Sequence, residues 1–289
     1  MKVVATWSFE PWFKREGVSW QHTSEMLAAA RAAIELANKN YGQPTVYVDS
    51  YGKYIFEQLA PCADYRVVYN DLYGQIPTEK LWAYAKILTY QRQQQPYLHF
   101  DLDFLCLKRW PESVFDCDVM FQSYENLEEK AEKISLHYNL PSVGRYYKLP
   151  ALMQRDDPNV VKGANLGVMF MNNMELNKQY TFIAQQIVEM NNDVFKTPNV
   201  LGMCVIEQHL MGMILESNPA FKVNTIRPMG WDLPMWDEYY IHFVGHNYKS
   251  AKYAQAQKLR KQVLGPWIND KIRRLSDEIQ NERNRRTKG

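Results

Sequence analysis

The chain has no run of about 18 apolar residues, so no membrane-spanning helix is expected. It has only four cysteines, Cys62, Cys106, Cys117 and Cys204, with no CxxC pair and no zinc-ligand spacing among them. Cys106 and Cys204 sit in apolar company, as reduced core thiols do, and a cytoplasmic location is the expectation. The opening Met1-Lys2-Val3-Val4-Ala5-Thr6-Trp7 lacks the length and small-residue cleavage site of a signal peptide and reads as a first strand. There is no internal repeat, no low-complexity linker and no excess of one charge sign. With 34 Lys/Arg against 32 Asp/Glu, nucleic acid is not an expected partner.

What is present is an ordinary globular composition, 46% hydrophobic and 23% charged, on a chain long enough to bury a substantial core. Aromatics are abundant, with 19 Tyr and 8 Trp; such side chains line carbohydrate and nucleotide sites and also fill cores. Charge is unevenly placed. From Lys249 to Gly289 there are 12 Lys/Arg against 4 Asp/Glu, which leaves 22 against 28 in the rest of the chain. The expected organisation is therefore a domain over 1–249 and a basic helical tail over 250–289. That tail reads as a solvated helix without a strongly hydrophobic face after Pro266, available for an oligomer or anionic-surface contact.

Strand-like and helix-like segments alternate through the first half. Lys2–Thr6, Thr45–Val48, Tyr65–Tyr69 and Leu98–Phe104 read as strands. Thr23–Asn40, Tyr51–Leu59 and the stretch from Pro77 to Gln93 read as helices, with Thr23 or Ser24 as the cap of the first. Further strands are expected over Asp118–Gln122, Asn165–Asn172, Phe221–Ile226 and Tyr239–Val244. Helices are expected over Glu175–Met190 and Val205–Leu215, a charged helix or lid over Glu125–His137, and irregular chain over Arg145–Lys162. This order points to an α/β fold with a largely parallel sheet, whose ligands gather at the carboxyl ends of the strands.

At one such end lies Tyr97-Leu98-His99-Phe100-Asp101-Leu102-Asp103-Phe104-Leu105. Two carboxylates at i and i+2 of an extended segment face the same side and could share a divalent cation. Carboxylate oxygens suit Mg²⁺ or Mn²⁺, and Mg²⁺ is commonly held by one or two carboxylates plus substrate phosphates. Asp-x-Asp also occurs in turns, where Asp bonds local backbone. A second pair, Asp116-Cys117-Asp118, precedes its strand instead of ending it, and Asp156-Asp157 precedes Pro158; both read as structural.

Three blocks in order give the chain a family resemblance. They are His99-Phe100-Asp101-Leu102-Asp103-Phe104-Leu105-Cys106-Leu107-Lys108, then Gly163-Ala164-Asn165-Leu166-Gly167-Val168-Met169-Phe170-Met171-Asn172, then Ile241-His242-Phe243-Val244-Gly245. Over residues 1–249 the chain resembles the GT-A glycosyltransferases, glycogenin-like nucleotide-sugar enzymes in particular. The blocks are similar to the family's DXD motif, its Asn-x-Gly turn with following strand, and its late His-x-x-Gly. The resemblance implies a GT-A fold, Rossmann-like, with a mixed, mainly parallel sheet flanked by helices. It also implies a hexosyltransferase-like enzyme moving a sugar from a nucleotide-diphosphate donor to a glycan or other hydroxyl acceptor.

The resemblance assigns Asp101 and Asp103 to Mn²⁺ or Mg²⁺, with His242 as third ligand; a buried strand histidine that only hydrogen-bonds is the other reading. It places Thr6 and Trp7 at the nucleoside, Lys86 at the donor or the first aspartate, and Asn165 and Gly167 at sugar hydroxyls. Gly245 and Lys249 fall at phosphate. Lys249 stands one position later after Gly245 than the family's lysine, so either the loop is longer or His246 takes part. Glu207, opening Glu207-Gln208-His209-Leu210, is similar to the acidic motif of the acceptor-side helix, where a carboxylate takes a proton or positions the sugar. Two other readings use the same residues: a phosphohydrolase with Asp101 as nucleophile, and a non-catalytic nucleotide-sugar or glycan-binding protein on a GT-A scaffold.

Overall fold

The structure is a computed structural model that describes residues 1–14, 20, 22–70, 81, 83–126, 148, 150–151, 162–193, 205–227, 237–243 and 254–288. Along the chain run β1 (Lys2–Thr6), α1 (Phe9–Lys14), α2 (Thr23–Tyr41), β2 (Thr45–Val48), α3 (Ser50–Leu59) and β3 (Asp64–Val67). Then come α4 (Tyr84–Gln91), β4 (Tyr97–Phe100), β5 (Phe104–Cys106), β6 (Val119–Asn126), β7 (Lys162–Met171) and α5 (Met174–Met190). A π-helical turn, Val205–His209, leads into α6 (Leu210–Ser217), followed by β8 (Val223–Thr225), β9 (Tyr240–His242), α7 (Ala254–Leu264) and α8 (Asp270–Lys288).

The α/β expectation holds: a mixed, mainly parallel seven-stranded sheet is flanked by helices. The chain divides into two compact units, each assembled from separated segments. One comprises Val3–Asp71, Phe100–Trp110 and Asp232–Gly289; the other comprises Met1–Lys2, Leu72–His99 and Pro111–Trp231.

In the first unit, β1 pairs in parallel with β2, and β2 with β3. Val3, Val4, Ala5, Val46 and Val48 are buried there, as the apolar β-branched content of these short runs requires. Helix α2 is buried along almost its whole length, which explains its alanines. β5, α7 and α8 all pack on it, and Ala28, Ala29, Ala32 and Ala33 let those elements approach closely. Its N-cap position is His22, without a side-chain cap, so neither Thr23 nor Ser24 does the capping. Helix α8 corrects the reading of the tail. Ile272, Leu275 and Ile279, at i, i+3 and i+7, are fully buried where α8 packs on α2. Arg260 of α7 is buried too, 2.7 Å from Glu25 of α2 and with its guanidinium 5.7 Å from the ring centroid of Trp20.

In the second unit, β6 and β7 form a long antiparallel pair with an irregularity between Phe121 and Ser123, and β6 pairs in parallel with β8. Helix α5 starts where Asn173 accepts hydrogen bonds from the Glu175 and Leu176 amides. Its inner face, Tyr180, Ala184, Ile187 and Val188, is buried. Asp118 accepts from the Asn173 side chain and the Lys222 amide while Asp116 pairs with Lys222, so the second acidic pair is structural, as its position implied. Residues 127–147 and 152–161, which include most of the expected lid and the Asp156-Asp157 pair, lie outside the described residues.

Candidate functional site

The strand expected over Leu98–Phe104 is broken. β4 ends at Phe100, the chain turns through Asp101-Leu102-Asp103, and β5 begins at Phe104, whose amide donates to the Asp101 carbonyl at 2.9 Å. The two carboxylates therefore do not share a side through strand alternation. The turn gathers them, and β9 supplies the third group. β5 and β9 pair antiparallel with Phe104 opposite His242, and the Phe243 amide donates to the Asp103 carbonyl at 3.0 Å.

That register brings His242 Nε2 to 3.5 Å from Asp103 Oδ1. One ligand atom from each of Asp101, Asp103 and His242 lies within 4.8 Å of the others. Phe104 backs the imidazole, ring centroids 5.3 Å apart, and itself stacks on Tyr240 at 4.9 Å. Two carboxylates from the turn and one imidazole from β9 form a donor set that fits Mn²⁺, and Mg²⁺ through its oxygens.

Thr6 ends β1, and Trp7 follows it in the same unit. The Trp7 amide donates to the Tyr47 carbonyl, its ring meets Phe9 and Phe56 edge-on, and its indole Nε1 has no hydrogen-bond partner among the described residues. Sequence reasoning missed Asp49, which organises this corner. Its Oδ2 accepts from Ser8 Oγ at 2.7 Å and from the Phe9 amide at 2.6 Å, while its Oδ1 accepts from the Gly52 amide at 2.6 Å. One carboxylate thus anchors the entry to α1 and caps α3.

The second unit holds a buried polar cluster. Lys86 of α4 donates to Glu207 of the π-helical turn and to the Leu166 carbonyl of β7, and both side chains of the pair are under a tenth exposed. Tyr180 of α5 donates its hydroxyl to the Glu207 carbonyl at 3.1 Å. His99, fully buried on β4, lies 3.3 Å through Nδ1 from the Tyr90 hydroxyl. Burial first, and the Lys86 charge second, push the His99 pKa well below its usual value, so the imidazole is neutral at pH 7. Only its place in an otherwise apolar strand could have drawn attention to it. Asn165 and Gly167 lie within β7 instead of in a turn before it, and Asn165 Oδ1 accepts from the Gly167 amide at 3.0 Å. Gly245, His246 and Lys249 lie outside the described residues.

A model of one protein family, described as "Family of unknown function (DUF6734)", matches residues 1–265. The chain belongs to this family. No curated protein matches it. Among solved structures, this DUF6734 chain is similar to the galactosyltransferase LgtC in complex with donor and acceptor sugar analogs. The TM-score is 0.50 at 10% identity, covering 92% of this chain and 96% of that one. An active-site mutant of LgtC gives a TM-score of 0.50 at 11% identity, with the same 92% and 96% coverage. The fold is that of the GT-A glycosyltransferases.

Proposed function

We propose that this protein is a metal-dependent glycosyltransferase that moves a sugar from a nucleotide-diphosphate donor to the hydroxyl of a glycan or other acceptor. The observation that carries this reading is the gathering of Asp101, Asp103 and His242 by the turn after β4 and the β5–β9 register. These three residues would hold Mn²⁺ or Mg²⁺, which supplies Lewis-acid neutralisation of a diphosphate leaving group. The GT-A fold supports the reading. We assign this chemistry to residues 1–249.

The remaining assignments follow from what each side chain can do. Thr6 and Trp7 take the nucleoside, with an aromatic face and an indole N–H to offer. Asn165 and Gly167 take sugar hydroxyls, and Gly245 and Lys249 take phosphate. Lys86 and Glu207 act on the sugar as a pair. Because Lys86 already holds the Glu207 carboxylate, the pair suits orienting hydroxyls better than removing a proton. The same observation favours, as a second reading, a nucleotide-sugar-binding protein without transfer.

Thermal unfolding with UDP, GDP, CDP and their sugars, each with and without Mn²⁺, tests both. A ligand at about 100 times its dissociation constant adds roughly 2.7 kcal/mol, a rise of several degrees for a chain of this size. A rise that needs metal and one nucleotide together, and is lost in Asp103→Ala, is the expected outcome. No rise with any pair would remove the reading. Binding without donor hydrolysis or transfer, across a panel of acceptors, would select the second one.

A further inference from the structure

A π-helical turn closes its hydrogen-bonded ring one residue later than an α-helix, and such turns occur mostly as single insertions, often at functional sites. A backbone carbonyl has two lone pairs, so one in a helical turn can accept a side-chain hydrogen bond from a neighbouring element. Val205–His209 is such a turn, and it runs directly into α6. The carbonyl of Glu207, at its centre, accepts from the hydroxyl of Tyr180, which arrives from α5 and is fully buried.

The extra residue also sets where Glu207 points. Successive residues of a helix are about 100° apart around the axis, so restoring continuous α-helix through this turn would swing its carboxylate away from Lys86. We infer that Tyr180 is a positioning residue, whose hydroxyl holds the Val205–His209 turn in π geometry and thereby keeps the Glu207 carboxylate on Lys86. The inference rests on the proposed transferase reading for its consequence, but its geometry stands without it. Burial, and after it the Glu207 charge, push the Tyr180 phenol well above its usual pKa, so the hydroxyl remains a donor. Tyr180 also packs at 6.3 Å on Tyr90, the partner of His99, so the ring keeps its place when only the oxygen is removed.

The test is Tyr180→Phe beside a matched control, Tyr65→Phe. Tyr65 likewise donates its hydroxyl to a backbone carbonyl, that of Ala60, in the other unit. Hydrogen exchange and thermal midpoint are measured for both on the full chain, and kcat and KM for the donor that the thermal screen selects. For Tyr180→Phe, amide exchange over 205–213 should rise roughly tenfold. Its kcat should fall on the order of tenfold to a hundredfold with KM nearly unchanged, since misplacement costs turnover before affinity. Tyr65→Phe should lower the midpoint comparably and leave both readouts alone. Wild-type exchange over 205–213 in Tyr180→Phe would overturn the inference, as would an equal fall in kcat in both variants. If the full chain binds no donor, the transferase reading falls, and the exchange comparison alone still decides the role of Tyr180.

Discussion

Lys86 and Glu207 face each other almost out of reach of water, and that makes each dependent on the other. Removing one partner of a buried ion pair strands a charge, at a cost of about 3–5 kcal/mol, whereas replacing both with apolar groups is far milder. Glu207→Leu and Lys86→Met should therefore each destabilise strongly, and the double variant should recover much of the loss. Urea denaturation of the four proteins reads the coupling directly; additive losses would mean that the pair is not energetically joined. A second residue-scale prediction concerns Gly52. A methyl built there would lie 3.0 Å from Asp49 Oδ1 and 3.1 Å from Val48 Cβ, so it would push the carboxylate off the amides it holds. Gly52→Ala should cost about 1–3 kcal/mol, despite alanine's better helix propensity. A variant as stable as the parent would show that this corner yields freely. At this scale the sequence displayed the side chains but not their partners. Asp101 and Asp103 stood out as an Asp-x-Asp pair, yet the spacing that suggested a strand belongs to a turn. Asp49 and Tyr180 were not legible, because each matters through a partner remote in sequence, and His99 was not, because its partner Tyr90 sits on the preceding helix.

Elements were legible wherever burial follows a simple period. β1, β2, α2, α3 and α5 stand within a residue or two of their expected bounds, since each carries an apolar run or stripe of its own. The π-helical turn was hidden, because Val205–Leu215 has helical spacing and nothing local marks the inserted residue. Its register is tied to Lys86 and Tyr180, on two other helices. Helix α8 shows the opposite lapse. Its stripe of Ile272, Leu275 and Ile279 was in plain view, outweighed by the surrounding Lys and Arg. Truncating Leu275 to Ala should cost about 2–5 kcal/mol, as for other fully buried leucines. Gln280→Ala, on the exposed side of the same helix, should stay within about 0.5 kcal/mol. If Leu275→Ala were equally silent in urea, α8 would be the solvated appendage that its charge suggests.

For the molecule as a whole, the order of the three sequence blocks concealed how the chain is distributed. It leaves the unit of β1–β3, returns for residues 100–110, leaves again and returns at 232. No linker marks these passages, so composition could not reveal them. The consequence is that Asp101 and Asp103 arrive on one return and His242 on the next, and a bound cation would tie the two together within one unit. A cross-link between segments remote in the chain removes freedom chiefly from states in which they separate, and a ligand of the folded state slows every opening that destroys its site. Saturating Mn²⁺ should thus slow hydrogen exchange together at 104–106 and 240–243, and leave the β6–β7 pair of the other unit nearly unaffected. In His242→Ala the two carboxylates remain, so any residual protection should depend less on Mn²⁺ over Mg²⁺, because the imidazole is the ligand that favours the transition metal. Protection confined to 104–106 in the parent protein would place His242 outside the coordination sphere. Equal slowing across both units would show that Mn²⁺ binds elsewhere.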